Sequence, residues 1–457
     1  MVAGSSEAHE TAPSMAELVA PVTVAEIELT EPATVTHVSV AAPIEDSLTP
    51  QALVLVRLHD RPVGIIVVDA PAGTVNASSC AEAAWASLGT SLRSHVASDG
   101  LPAGQPAEAA TDPPLISVVV ATRERPQSLA KCLDSLSRMD YPNYEVVVVD
   151  NAPVTNATAS FMAERAEENL CYVREPRRGL ASAHNCGLEQ ATGSIVAFTD
   201  DDVILDRKWL TEISRGFLAA PDVACVTGLI MPAELQTQAQ FMLETHGHFG
   251  KGFEQRVVDC GTRRPADPLF PFTTGKLGSG ANMAFRTDRL RQLGGFDPAT
   301  GTGTVARGGD DLAAFFSVLA AGHSLVYQPT AVAWHHHRRD VEALRNQASG
   351  YGTGLGAYLT SALVNHPAMA VQALRLAPAG LHYAFHPASP RNARVGSSWP
   401  RQLVWRERRG LVLGPLAYGV SRLRSRGARR PDGTRRPSPM TQANTGFAPV
   451  PHEESSR

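Results

Sequence analysis

Five apolar runs, separated by helical patterns and turns, constrain this chain more than any other feature. They are "LISVVVAT", "YEVVVVDN", "LCYVRE", "SIVAFTDDD" and "VACVTGLIMP", all between Leu115 and Pro232. Continuous apolar runs of this length are expected of parallel strands buried on both faces. Helical spacing fills the gaps: Pro126 suits a first helical turn, Leu129, Leu133 and Leu136 repeat after it, and a second helix is expected from about Leu180 to Ala191. Strand, helix and strand in this order predict right-handed crossovers and an open, mostly parallel α/β sheet. Ligands of such sheets bind at the carboxyl ends of the strands. Thr122, Asp150 and the triplet Asp200, Asp201 and Asp202 all fall at such ends.

Three adjacent carboxylates repel one another unless a cation sits among them. A solvated acidic turn or a helix cap is the ordinary origin of such a triplet. Its place at the end of a buried strand, beside Asp150 on another, favours a divalent metal. Mg²⁺ or Mn²⁺ takes one or two carboxylates together with substrate phosphates. Alternation past the strand end lets Asp200 and Asp202 face one site. A dinucleotide fold is excluded, because the turn "ATRERPQ" lacks GxGxxG and the glycines of "GYGTGLGA" follow no strand; GxxxxGK[ST] is absent too. Asp310 and Asp311 follow two glycines and open a helix with Leu312, Phe315, Phe316 and Leu319 on its core face. That pair fits either helix-dipole stabilisation or a ligand site that the glycines let approach. His335, which leads a run of three histidines at a strand end, is a candidate transition-metal ligand or part of a polar surface.

Length and composition set the frame. The chain has 457 residues, 43% of them apolar and 19% charged, which is enough for two or three globular units. Residues 1–50, with no Lys or Arg, read as a flexible acidic lead; 51–100 as a small ββα unit; and 101–114 as a Pro/Ala/Gly linker. Residues 115–345 form the α/β domain, 346–430 a helical basic extension and 431–457 a disordered tail. The N-terminus lacks the basic region of a secretory signal, no run is apolar enough to span a bilayer, and six scattered cysteines read as thiols of a reducing compartment. A cytoplasmic location is expected. From Arg391 to Arg436, thirteen arginines stand against Glu407 and Asp432, with Leu403, Trp405, Leu411 and Leu413 among them. This segment suits the inner face of an anionic membrane and is not expected to bind nucleic acid.

Five ordered stretches carry a resemblance: "ISVVVATRERPQSLAKCLDSL", "YEVVVVDN", "RRGLASAHNCGLEQATGSIVAFTDDD", "GSGANMAFRTDRLRQLGGFD" and "GGDDLAAFFSVLAAGHSLVYQPTAVAWHHHRRD". From roughly Leu115 to Arg339 the chain resembles a family 2 glycosyltransferase of the GT-A fold. The resemblance implies transfer of a sugar from a nucleoside diphosphate to an acceptor hydroxyl, with inversion at the anomeric carbon. It implies that Thr122, Arg123, Asp150, Arg178, Gly179, Asn185, Asp200 and Asp201 bind the donor nucleotide. Asp202 then binds Mn²⁺ or Mg²⁺, and His335 joins it by analogy with related enzymes. Asp311 matches the base for the acceptor hydroxyl, with Asp310 as runner-up, and Gly280, Ala281 and Asn282 lie on the acceptor side. The acceptor is left open as a glycan, a lipid-linked group or a small molecule. A sugar-phosphate nucleotidyltransferase and a non-catalytic nucleotide-sugar-binding module are the alternatives.

Overall fold

A computed structural model describes residues 18–427 except 31, 42–49, 100–112, 166, 248, 387–388 and 390–398; the expected tail at 431–457 and most of the 101–114 linker lie outside the described residues. The chain opens with strands β1 (Thr23–Glu28), β2 (Thr34–Ser39), β3 (Gln51–Leu58) and β4 (Arg61–Asp69), then helix α1 (Ala77–Asp99). This corrects the expected acidic lead: two of its stretches are strands, and β1 pairs in parallel with β3 inside a four-stranded sheet ordered β2-β1-β3-β4. The alternation of apolar residues along β1 and β3 explains the sheet's place. Ala25, Ile27, Val54 and Val56 pack under Cys80, Ala84, Leu88 and Leu92 of α1. Val24, Leu53 and Leu55 point the other way, onto Leu229, Met231, Val332 and Trp334 of the next unit. Arg57 adds ion pairs to Glu26 at 2.9 Å and to Asp206 of that unit at 2.7 Å.

The second unit runs β5 (Ile116–Thr122), α2 (Pro126–Leu136), β6 (Tyr144–Asn151), α3 (Ala157–Ala163), β7 (Leu170–Glu175), α4 (Leu180–Gln190), β8 (Ile195–Asp200) and β9 (Val203–Leu205). It continues through α5 (Trp209–Gly216), β10 (Val223–Pro232), α6 (Gln238–Gly247), β11 (Arg256–Val258), β12 (Met283–Arg286), α7 (Thr287–Gln292), α8 (Asp310–Ala320) and β13 (Ser324–His335). The sheet order is β11-β13-β10-β12-β8-β5-β6-β7, with β9 paired to β13. Strands β5, β6, β7 and β8 are parallel, as the apolar runs predict, and β12 enters antiparallel between β8 and β10. Every residue of β5 and of β10 is buried, because both faces of the sheet are covered, by helices and, at Leu229 and Met231 of β10, by the four-stranded sheet. The result is a mixed, mostly parallel sheet flanked by helices, as the order of the apolar runs predicts.

Among the described residues, three α-helices follow: α9 (Val341–Asn365), α10 (Ala370–Phe385) and α11 (Arg401–Gly427). The glycines of "GYGTGLGA" lie on α9 and form a seam with α11. A Cβ on Gly352 would collide with the Glu407 carbonyl, and one on Gly410 would meet the Thr353 nitrogen at 2.7 Å. On the other side, α9 presses on the loop before α8, where Gly309 has φ +87° and a Cβ would meet the Gly354 carbonyl at 2.5 Å. The seam therefore fixes α11 against α9, and α9 against the start of α8. Gly352→Ala is expected to cost about 1–3 kcal/mol, because the helices must part and the gain in helix propensity does not compensate. Gly419→Ala on the open side of α11 meets nothing within 4 Å and should be stabilising by up to about 1 kcal/mol. Paired thermal melts check this; equal shifts would mean that the seam is not tight.

Candidate active site

One cleft of about 1480 Å³ runs across the carboxyl ends of the parallel strands. Ala121, Thr122, Arg123, Arg125, Asn151 and Arg178 line it from the ends of β5, β6 and β7, Asp200, Asp202, His335 and Arg338 from the ends of β8 and β13, and Gly280, Asp310 and Asp311 from the starts of β12 and α8. The convergence of Asp200, Asp202 and His335 follows from register. Strand β8 ends at Asp200, and the short β9 turns back along β13 with Val203 opposite His335. The His336 amide donates to the Asp202 carbonyl at 2.9 Å. Ligand atoms of Asp200, Asp202 and His335 thereby lie within 4.8 Å of one another.

The electrostatics of this group are those of a cation site. Burial, and then the charge of Asp202, push Asp200 above its ordinary value. Burial also works against Asp202, but His335, Arg125 and Arg338 hold it well below the usual carboxylate range. His335 Nε2 lies 3.3 Å from Asp202 Oδ1. The buried His335 Nδ1 has no hydrogen-bond partner among the described residues. Two carboxylates and an imidazole with an open neighbourhood match the donor set of a divalent ion that also takes phosphate oxygens. The residues present fit such an ion.

Asp201 departs from the donor role expected of it. It is fully buried and does not line the cleft. Its carboxylate accepts a hydrogen bond from Thr122 Oγ1 at 2.6 Å and pairs with Arg125 at 2.6 Å. Burial pushes it up to about 7. Strand alternation sends it beneath the floor, where it ties β8 to the end of β5 and to the start of α2.

Other expected residues separate in the same way. Asp150 lies under the floor, fully buried, and accepts from the Tyr172 hydroxyl at 2.8 Å; Asn151 beside it lines the cleft instead. Gly179 is not on the cleft wall. Its φ of +137° starts α4, and its amide donates to Asn151 Oδ1 at 3.0 Å. Asn185 spends its amide on the Phe296 backbone, at 2.8 Å in both directions. Asn282 is fully buried, accepting from Trp209 Nε1 and donating to the Leu229 and Ala331 carbonyls. It clamps β12 to its neighbours and does not face an acceptor. Ala281, by contrast, lines the cleft next to Gly280.

Asp311 is half-buried, and its Oδ2 accepts from the Gly280 amide at 2.9 Å. Burial, and then the charge of Asp310, push it up to about 6. Asp310 is the more buried of the two, with its Oδ2 3.4 Å from His184 Nδ1. Sequence reasoning missed several wall residues, among them Arg125, Lys251, Arg307 and Tyr351, and His184 in "GLASAHN", which is buried behind the wall against Asp310. Burial pushes Lys251 down to about 8. It sits in a loop between α6 and β11 that follows no motif, so only the fold reveals it.

Residues 117–262 match the family described as "Glycosyl transferase family 2". Over 254 residues the chain is 26% identical to the pre-mycofactocin glycosyltransferase of Mycobacterium tuberculosis, covering 55% of this chain and 48% of that protein. It is 28% identical over 227 residues to the succinoglycan biosynthesis protein ExoM of Rhizobium meliloti, covering 48% and 66%. The chain thus spans about half to two thirds of the length of these relatives. A solved structure of the mannosyltransferase PcManGT from Pyrobaculum calidifontis, in complex with GDP-Man and Mn²⁺, overlaps 68% of this chain and 88% of its own, at 22% identity and a TM-score of 0.40, too low to bear on the site. The parallel strands that end in the carboxylate and histidine cluster fall largely within residues 117–262, the part of the chain that is similar to glycosyl transferase family 2.

Proposed function

We propose that this protein is a metal-dependent, inverting glycosyltransferase that uses a nucleoside-diphosphate sugar as donor and a hydroxyl as acceptor. The observation that carries the reading is one cleft lined both by the Asp200, Asp202 and His335 group and by Asp311. Arg123 and Arg178 at the strand ends supply positive charge for the diphosphate and nucleotide. Asp202 and His335, with Asp200, would hold Mn²⁺ or Mg²⁺, which when bound offsets the charge that builds on the leaving diphosphate. Asp311 takes the proton of the acceptor hydroxyl. The acceptor oxygen then bonds to the anomeric carbon from the face opposite the leaving group, and the old bond's electron pair departs with the diphosphate. The Gly280 and Leu312 amides orient the Asp311 carboxylate at 2.9 and 2.8 Å.

Two measurements test this reading. In a thermal-shift panel with Mn²⁺, the true donor at 100-fold over its Kd should stabilise the protein by about 2.7 kcal/mol. With that donor and an acceptor, free nucleoside diphosphate should be released. Release of pyrophosphate from a nucleoside triphosphate would instead identify a nucleotidyltransferase. Donor binding without turnover across an acceptor panel would identify a binding module.

A further inference from the structure

Helix α11 buries one face and leaves the opposite one apolar. Leu403, Glu407, Gly410, Gly414, Ala417, Tyr418 and Ser421 are buried. Trp405, Val412, Leu416 and Leu423, at steps of seven, four and seven, return to a single line on the other side of a 3.6-residue helix. Along that line Trp405 is 69% exposed, Leu416 70% and Leu423 71%. Arg401, Arg406, Arg409, Arg424 and Arg426 are exposed around the stripe. The helix's one acid, Glu407, is buried against His246 at 2.7 Å. Helix α10 beside it adds exposed Val371, Leu374 and Leu381, with Arg375 as its one Arg, Lys, Asp or Glu. The two helices touch where Arg408 reaches the Phe385 carbonyl.

We infer that the exposed faces of α10 and α11 form a docking surface for an anionic lipid membrane. No described helix is long and apolar enough to cross a bilayer, so the helices lie along the surface. The apolar stripe enters the headgroup boundary and the arginines meet lipid phosphates. Trp405 has the amphipathic ring favoured at that depth. Charge selects this occupant over a second copy of the chain, since two such faces would bring arginine against arginine. A nucleic acid would leave the apolar stripe uncovered. Tyr383 of α10 and Glu407 of α11 also line the cleft, so docking brings the acceptor end to the lipid surface. It therefore suits a hydroxyl acceptor carried on lipid; this consequence rests on the proposed function, whereas docking itself does not.

Flotation of the full chain with vesicles tests the inference. One set is equal parts phosphatidylcholine and phosphatidylglycerol, the other phosphatidylcholine alone. The chain should float with the anionic vesicles at low salt and at least about tenfold less with the neutral ones. Leu416→Asp with Leu423→Asp, and separately Arg406→Glu with Arg409→Glu, should each lower binding to anionic vesicles by at least about tenfold. Both pairs lie on exposed positions, so the thermal shift given by Mn²⁺ and a nucleoside diphosphate should be unchanged. No flotation at low salt, equal flotation on neutral vesicles, or full binding by both double variants overturns the docking surface. A dimer that the leucine variants disrupt, without vesicle binding, also overturns it. Flotation without release of nucleoside diphosphate would leave the docking intact and sink the proposed function alone.

Discussion

Asp311→Asn should lower turnover by at least about 100-fold while leaving the affinity for donor and Mn²⁺ nearly unchanged. The substitution keeps the size of the side chain, and its amide oxygen can still accept from the Gly280 amide, which meets Asp311 Oδ2 at 2.9 Å. What is lost is the capacity to take a proton, together with the hydrogen bond that the Leu312 amide gives to Oδ1. The same residue predicts a pH profile. Burial and Asp310 push Asp311 up to about 6, so its charged, proton-accepting form is present above that pH and lost as pH falls through it. The rate should therefore decline on the acid side near pH 6, and that limb should vanish in the Asn variant. Asp310→Asn should cost less, because Asp310 is buried and directed at His184. Equal losses in the two variants would show that the pair acts as a unit. A large loss of donor affinity in Asp311→Asn would place that carboxylate in the nucleotide site and end the base assignment.

The parts of this site that were legible in the sequence share one property: their position follows from local periodicity. Apolar runs mark the strands, so the residues just past them, Thr122, Asp200 and Asp202, had to fall at the ligand-binding edge. His335 follows the same rule at the end of β13. Residues whose role depends on a distant partner were not legible. Asn185 and Asn282 stand in motif positions, yet their amides are spent on Phe296 and on Trp209, Leu229 and Ala331, far along the chain. A side-chain amide fits a ligand or a backbone equally well, and only the tertiary contact decides. The strands β1 and β2 were hidden for a related reason. "TVAEIE" and "TVTHVS" are short, the first is partly acidic, and β1 becomes a strand by pairing with β3 and packing on β10. The glycine-rich stretch of α9 has no local signature of its purpose. It exists for α11, which enters some fifty residues later.

Alternation also decides the outcome at the acidic triplet, where neighbouring aspartates should behave in opposite ways. Asp202→Ala should weaken metal-dependent binding of a nucleoside diphosphate by more than about 100-fold, since it removes a ligand and the partner that orients His335. His335→Ala should weaken it by at least about tenfold for the first of these reasons. Asp201→Ala should leave metal-dependent binding by the folded protein within a few-fold. Its cost falls on stability, about 1–3 kcal/mol, because the buried Thr122 hydroxyl and one side of Arg125 lose their partner. Arg125 keeps Asp202 at 2.7 Å, so the floor is weakened without being opened. Calorimetric titration with and without Mn²⁺, alongside thermal melts, separates the two effects. Loss of metal-dependent binding in Asp201→Ala with an unchanged melt would mean that the middle aspartate faces the ion, and that the register through the triplet is shifted by one residue.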